Sequence, residues 1–543
     1  MVKRTLSFMV ALSLTATLLA GCGEKKQEAA QASSSTAVST AASTQQEQPS
    51  QEPVNTYGDT GGLKLPVVDK PVTVSWMLSG ETQNANDKAV IQEIEKRTGV
   101  KVDIQMVSAA NYADKSKITL ASGKLPDIME GVPASEINAL GTQGAFAAIN
   151  QYIDQLPNFK KLYVDENSWV MKSYADDSGN IYTWPVYGLN RDVNHGILYR
   201  KDIFDKNGIT EWTNTDEFYQ ALKKLKEIYP KSYPVASKTG QYIFRDWSTG
   251  WGMGGDETYP MYYDEGAKLW KLATIQPEFK AMIDFMKKLY NEGLLDPEFM
   301  TDTQTSWTAK MTSDDKAFVT YDWIGRLDMF YNQVKDVNAE YNLRYGNPIG
   351  PTGLNKSLPK VINFGTVIAN NANKEAALKM MDYLTSPSGS ELICLGIKDE
   401  EFTIGSDGKV TYPELKDLPK VDISAISDKY GCFYETMYLN VDKRSVYFNF
   451  TEKEQEAQDK IVKANKLASL DPVLRFTDEQ SSTISDLQSA LDKSSVEFAT
   501  TYIMTKSYGD AQWNEWVAKA EKMNSKKLED TYNEAQKKLD TAN

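Results

Sequence analysis

From residue 71 onward, hydrophobic positions recur with two periods. "PVTVSWML" (71–78) is β-branched and aromatic, which predicts a strand. "ANDKAVIQEIEKRTG" (85–99) sets Val90, Ile91 and Ile94 on one helical face, with Gly99 placed as a C-terminal stop. "VKVDIQMV" (100–107) alternates Val100, Val102, Ile104 and Met106, a second strand. "YADKSKITLASG" predicts a short helix ending at Gly123, and "PDIMEGV" (126–132) a third strand. Strand, helix, strand, helix, strand implies a parallel sheet with helices on both faces. Ligands of such sheets sit beyond the carboxyl ends of the strands, at a switch point.

"SGNIYTWPVYG" (178–188) reads as a turn, a short strand and a proline-bounded crossing into a second α/β region. That region opens with "GILYRKDIFDKNG" and continues with the helix "TDEFYQALKKLKEIYP". In the helix "QPEFKAMIDFMKKLYNEG", Phe279, Met282, Phe285, Met286 and Leu289 form the apolar stripe. "KAFVTYDW" (316–323) is a strand, and "FGTVIANNA" (364–372) a return crossing into the helix "KEAALKMMDYLTS". The last hundred residues read as mostly helical. Trp513, Trp516, Val517, Ala520, Met523 and Leu528 make one core stripe along a terminal helix.

The N-terminal end has a different pattern. Lys3 and Arg4 precede an apolar run from Leu6 to Leu19, too short to span a bilayer comfortably, and small residues follow. "LLAGC" (18–22) resembles the bacterial lipobox, in which the signal is cut before a cysteine that is then acylated. Residues 1–21 are therefore expected to be a lipoprotein signal peptide and Cys22 the lipidation site. Residues 23–57 hold almost no large apolar side chains, so they are expected to be a disordered tether. As a flexible coil those residues reach roughly 30–35 Å.

Composition narrows the function classes. The chain of 543 residues carries a formal net charge of -14, a balance that repels nucleic-acid backbones and anionic membrane surfaces. It contains a single histidine, His195, in "RDVNHGILYR", where an ordinary strand-edge residue is expected. No G-x-S-x-G elbow or zinc cluster is present. "GWGMGG" (250–255) matches G-x-G-x-x-G but follows "RDWST" rather than an apolar strand, and Pro260 stops any helix soon after, so it is rejected. "YADDSGN" (174–180) lacks the alternating ligands of a calcium loop and predicts a hairpin turn. No metal or cofactor is expected. Cys394 and Cys432 are left as either a disulfide or two buried thiols.

Aromatic residues are dense at predicted strand ends: Trp184 and Tyr187 at the first crossing, Trp247 and Trp251 in a Gly-rich loop, and Trp323 beside Asp322. Aromatic faces complement the C–H faces of sugar rings, and Asp, Glu, Asn and Arg bond the hydroxyls. Any one tryptophan can equally be core; several together at loop positions suggest a binding cleft.

Four segments in order resemble extracellular solute-binding proteins of bacterial ABC importers, the large carbohydrate-binding type. They are "LASGKLPDI" (120–128), "DSGNIYTWP" (177–185), "QPEFKAMIDFMKKLYNEGLLDPEF" (276–299) and the stretch from "FGTVIANNANKEAALKMMDYLTS" to "GSDGKVTY" (364–412). The resemblance implies a two-lobed periplasmic-binding-protein-like α/β fold, with hinge-linked lobes and a ligand cleft between them. One lobe is expected from 71–186 plus about 365–415, the other from 187–364 plus part of 416–543. By matching position it offers Glu81, Trp184, Tyr187, Trp247, Trp251, Asp322, Trp323 and Arg326 as ligand-binding residues. It implies a lipid-anchored monomer on the outer side of the cell membrane. This would capture an oligosaccharide and pass it to permease subunits and their ATPase, doing no chemistry itself. A surface polysaccharide-degrading enzyme, a binding protein for peptides or other solutes, and a membrane-kinase sensor are the rival readings. Arg191, Arg245 and Arg326 can meet a uronate, but surface arginines are too common for sequence alone to select an acidic sugar.

Overall fold

The computed structural model of the protein describes residues 56–254, 258–418 and 420–541, all within one compact unit. Cys22, the signal segment and most of the tether lie outside the described residues.

The first sheet follows the predicted pattern. Strand β1 (Val72–Ser79) pairs in parallel with β2 (Val100–Val107) from Val72–Val100 to Ser79–Val107, and with β3 (Ile128–Met129) on its other side. Alternation divides its side chains between two cores. Val74, Trp76 and Leu78 face one with Val100, Ile104 and Ile128; Met77 faces the other with Tyr112, Met129 and Val367. Helix α1 (Ala89–Thr98) buries Val90, Ile91 and Ile94 and ends at Gly99, whose φ of 75° supplies the left-handed stop. Helix α2 (Ala109–Ser122) ends likewise at Gly123. Asp127 joins the layers: its carboxylate accepts from the Ser75 N–H and hydroxyl, each at 2.7 Å, and from Asn371 at 2.8 Å and Asn373 at 3.1 Å. Burial alone would raise its pKa, but these bonds hold it below the usual carboxylate value.

The second region differs from the first. Strand β5 (His195–Arg200) lies between β8 (Val319–Trp323) and β9 (Leu343–Tyr345), and both pairings are antiparallel. A hairpin, β6 (Met261–Asp264) with β7 (Leu269–Leu272), packs beside it against the helix Ser525–Thr541. The helix Pro277–Asn291 buries Phe279, Met282, Met286 and Leu289 as its stripe predicts, while Phe285 is only partly covered.

Three chain segments join the two regions. Strand β4 (Val186–Tyr187) pairs antiparallel with β10 (Val361–Ile362), which is followed by β11 (Val367–Ile368) at the edge of the first sheet. The third segment, near 439–450, has no counterpart in the sequence reading. The Tyr187 N–H donates to Leu439 and the Val441 N–H donates back to Tyr187, both at 2.9 Å. Arg191 then lies 4.1 Å over the Tyr447 ring and donates to that residue's carbonyl, tying the first and third crossings together. The single terminal helix is also corrected. It breaks into Asp510–Lys522 and Ser525–Thr541 at Asn524, whose φ is 65°. Trp513, Trp516, Ala520 and Leu528 are buried nonetheless.

Candidate functional site

The second sheet ends beside the crossings, and charged and aromatic groups collect there. His195 opens β5 directly opposite Trp323, the last residue of β8. The Trp323 N–H donates to the Asp322 carboxylate at 2.7 Å, and Asp322 forms ion pairs with Lys238 at 3.2 Å and Arg326 at 3.3 Å. Lys238 comes from a different loop, held there because Val235 bridges to Val319. Arg326 opens the helix Arg326–Val334 and lies 5.4 Å over Trp307, while Lys238 lies 5.0 Å over the same ring. The helix Tyr242–Ser248 adds Tyr242, 52% exposed, with the Arg245 guanidinium 4.8 Å over its ring. Arg245 also reaches Asp246 at 3.4 Å.

A narrow cavity of about 20 Å³, with little more than a water's room, lies behind this edge, lined by Asp246, Trp247, Tyr321, Asn355 and Lys356 among others. Burial and the nearby Arg245 push the Lys356 ammonium down to about 8, against the pull of Asp246. His195 is exposed on one side, but desolvation of its inner side outweighs the pull of Asp322. With the repulsion of Lys356, Arg245 and Lys238, it holds the imidazole down to about 4. Burial raises the Asp246 carboxyl in spite of Arg245.

Of the residues expected from sequence, Asp322, Trp323 and Arg326 are brought together here, and Trp247 reaches the cavity wall. Trp184 is a correction: it is fully buried, its indole N–H donating to the Thr385 hydroxyl at 3.2 Å and its ring edge-on to Phe159. Trp247 and Trp251 are corrected as exposed platforms. Both are nearly fully buried and stack on each other 6.1 Å apart, with Phe285 against them, so Trp251 is core. Tyr187 sits half-buried in the first crossing. Glu81 is exposed on the first region, accepting from the Ala109 N–H at 3.1 Å. Tyr242, Lys238 and Lys356 were missed. Only Tyr242 left a trace, as an aromatic three residues from Arg245 in a segment already rich in tryptophan.

Two other features carry less. A wide hollow of about 540 Å³ near the start of α1 is lined by Glu400, Glu401, Glu414, Lys88 and Lys429 among others; its one aromatic, Tyr430, is buried. Among the described residues one carboxylate group could hold a metal, Asp296, Glu298 and Asp302. Lys310 already meets all three, at 2.9, 2.6 and 2.8 Å. The turn at 176–180 is built on Asp176, which accepts from the Ser178 and Asn180 N–H groups, both at 2.8 Å. Arg475 caps the turn from outside, donating to the carbonyls of Ala175 and Asp176 and to the Asp177 carboxylate. Cys394 and Cys432 are buried free thiols.

The sequence profile of the bacterial extracellular solute-binding protein family matches residues 79–391. The chain belongs to that family. As an extracellular solute-binding protein it shares 24% identity over 495 residues with the polygalacturonan/rhamnogalacturonan-binding protein YtcQ of Bacillus subtilis (strain 168), covering 86% of this chain and 92% of that one. It shares 23% with the fructooligosaccharide ABC transporter substrate-binding protein FusA of Streptococcus pneumoniae serotype 4, covering 60% and 63%. Among solved structures, an extracellular solute-binding protein from Bifidobacterium longum subsp. infantis gives a TM-score of 0.69 at 20% identity, over 87% of this chain and 98% of that one. The alginate-binding protein AlgQ2 gives 0.66 at 22%, over 87% and 99%. The fold of this solute-binding protein is thus the two-lobed α/β fold of that class, and no helix among its described residues is long and apolar enough to cross a membrane.

Proposed function

We propose that this solute-binding protein captures an oligosaccharide between its lobes and releases it to an ABC permease. The observation carrying the reading is the end of the second sheet, where the Lys238–Asp322–Arg326 ion pairs adjoin the half-buried Trp323, with the exposed Tyr242 on the helix that follows Lys238 in the chain. Aromatic faces meet sugar C–H faces and the charged groups bond hydroxyls. Relatives named for polygalacturonan, fructooligosaccharide and alginate binding support a sugar over a peptide. Glu81 and Tyr187 would complete the site from the other lobe and the hinge. The lobes on this reading are 71–186 with about 365–415, to which 416–446 is added because Tyr430, Cys432 and Val446 pack in the first region's core, and 187–364 with 452–541, closing about the three crossings.

The rest of the reading concerns placement. Residues 1–21 direct export, Cys22 carries the lipid, and residues 23–57 hold a monomer at the outer face of the membrane beside its permease and ATPase. The protein itself catalyses nothing. The test is a thermal-shift panel on the chain from residue 22 with Cys22→Ala, against neutral and acidic oligosaccharides, peptides and polyols. Ligand at a hundred times Kd adds about 2.7 kcal/mol to the native state, a rise of a few degrees in a chain of this size. A dose-dependent rise confined to one sugar series, with the sugar recovered intact, is expected. A rise with peptides alone, or breakdown of the sugar, would overturn it.

A further inference from the structure

The hollow at the start of α1 offers a sugar no open aromatic face, but several of its polar groups lack partners. Four carboxylates border it, Asp87, Glu400, Glu401 and Glu414, with two lysines, Lys88 and Lys429. Both lysines are engaged: Lys429 pairs with Glu414 at 3.0 Å, and Lys88 donates to the Asp428 carbonyl. Among the described residues, no lysine or arginine comes within ion-pair distance of Asp87, Glu400 or Glu401. Glu401 alone of the four is buried, 7% exposed, and accepts from the Ile397 N–H at 2.9 Å. Tyr430 also borders the hollow, is 4% exposed, and its hydroxyl has no hydrogen-bond partner among the described residues. Burial, with Glu414 and Glu401 adding to it, pushes that phenol up to about 12, so it remains a neutral hydroxyl. A buried carboxylate without a cation and a buried hydroxyl without a partner both carry a cost that a matching ligand would remove.

These oxygens do not converge as a three-carboxylate metal site requires; among the described residues only Asp296, Glu298 and Asp302 stand that close. An alkylammonium needs no such convergence. It brings three N–H donors and no acceptor, and a chain bearing several of them can meet carboxylates that stand apart. A hollow of about 540 Å³ has room for such a chain. We propose that this hollow seats the ammonium groups of an aliphatic polycation, one against Glu401 and the Tyr430 hydroxyl and another against Glu400 or Asp87. Free polyamines and lysine side chains share that chemistry. None of these residues is assigned to the sugar, so the site stands apart from the oligosaccharide reading. Burial, with Glu400, Glu414 and Glu93 adding to it, holds the Glu401 carboxyl up to about 7 in spite of the Ile397 N–H. A cation beside it favours the carboxylate and lowers that value, so binding at pH 7 releases a proton.

The experiment is calorimetric titration of the chain from residue 22 carrying Cys22→Ala with spermidine and with trilysine, at pH 7 and physiological salt. Each titration is run in two buffers of unlike ionisation heat, which reads out the proton. Saturable binding with proton release is expected. Tighter binding of spermidine would assign the site to a free amine, and tighter binding of trilysine to a lysine-bearing segment of a partner. Glu400→Gln with Glu401→Gln should weaken binding at least tenfold and remove the proton release. Tyr430→Phe should weaken it several-fold and leave the proton release in place. Glu400→Gln alone, at an exposed position, should already weaken binding several-fold, so the test does not depend on a buried variant folding. Asp336→Asn with Glu340→Gln removes the same charge from exposed positions in the second region and should change nothing. No binding of either probe, or equal weakening by the two double variants, would overturn the inference and leave the oligosaccharide reading untouched.

Discussion

Trp323 and Trp184 both follow short apolar strands in the sequence, and the fold uses them in opposite ways. Trp323 is half-buried at the end of β8, with Gly325 beneath its ring: a Cβ at 325 would sit 2.4 Å from the indole. Removing it takes away an exposed face but little core. Trp323→Ala is expected to weaken sugar binding about tenfold while leaving the unfolding midpoint within a degree or two. Trp184→Ala opens a cavity between Phe159 and the helix bearing Thr385 and should cost about 3–5 kcal/mol of stability. Chemical denaturation of the two variants checks both statements, and equal midpoints would contradict them. Glu130 gives a prediction in pH. It is buried at the end of β3, accepting from the Ser79 N–H at 2.6 Å, and burial raises its carboxyl from 4.5 to about 7, with Glu435 adding to the rise. An acid raised in the folded state stabilises while protonated. Its contribution is complete below pH 4.5 and fades as pH climbs through 7. Glu130→Gln should therefore unfold like the parent near pH 4.5 and be more stable at pH 8, by up to about 3 kcal/mol. A stability difference that does not change with pH would count against this account.

At the scale of elements, what was legible in the sequence was what local chemistry decides. The alternation in β2 and the stripes of α1 and Pro277–Asn291 follow from one face being buried, and Gly99 and Gly123 stop helices because they accept a left-handed backbone. The crossing at Trp184 was visible through its proline. The third crossing was not, since a segment such as 439–450 has neither period and is fixed only by partners like Tyr187 and Arg191. The site was hidden for the same reason. Asp322, Trp323 and Arg326 are neighbours in sequence, whereas Lys238 reaches Asp322 only after its loop has packed against β8. Trp247 and Trp251 misled because an indole in a Gly-rich loop looks exposed until its partner ring is known. Arg475 is the element-scale prediction. Its neighbours Leu474 and Phe476 pack with the second region's core, yet its guanidinium donates to the 175–177 turn of the first. Arg475→Ala should loosen that link. Hydrogen exchange at the amides of Ser178 and Asn180 is expected to quicken several-fold while exchange in β1 stays unchanged; no change at either place would show the contact to be incidental.

For the whole molecule, function depends on a two-lobed body and on where that body is held. If Cys22 carries the lipid, Cys22→Ala in the exporting cell should move the protein from the membrane fraction to the medium, still folded and still able to bind sugar. Retention in the membrane would require another anchor. The formal net charge of -14 keeps such a body off anionic lipid. Closure about three crossings is the claim on which capture and delivery both rest. Small-angle X-ray scattering of the Cys22→Ala chain from residue 22, titrated with the sugar selected by the thermal panel, tests it most directly. The account predicts a radius of gyration that falls and then saturates along the same curve as binding. A radius that does not change at saturation would mean that the sugar is held without closure, and would contradict it.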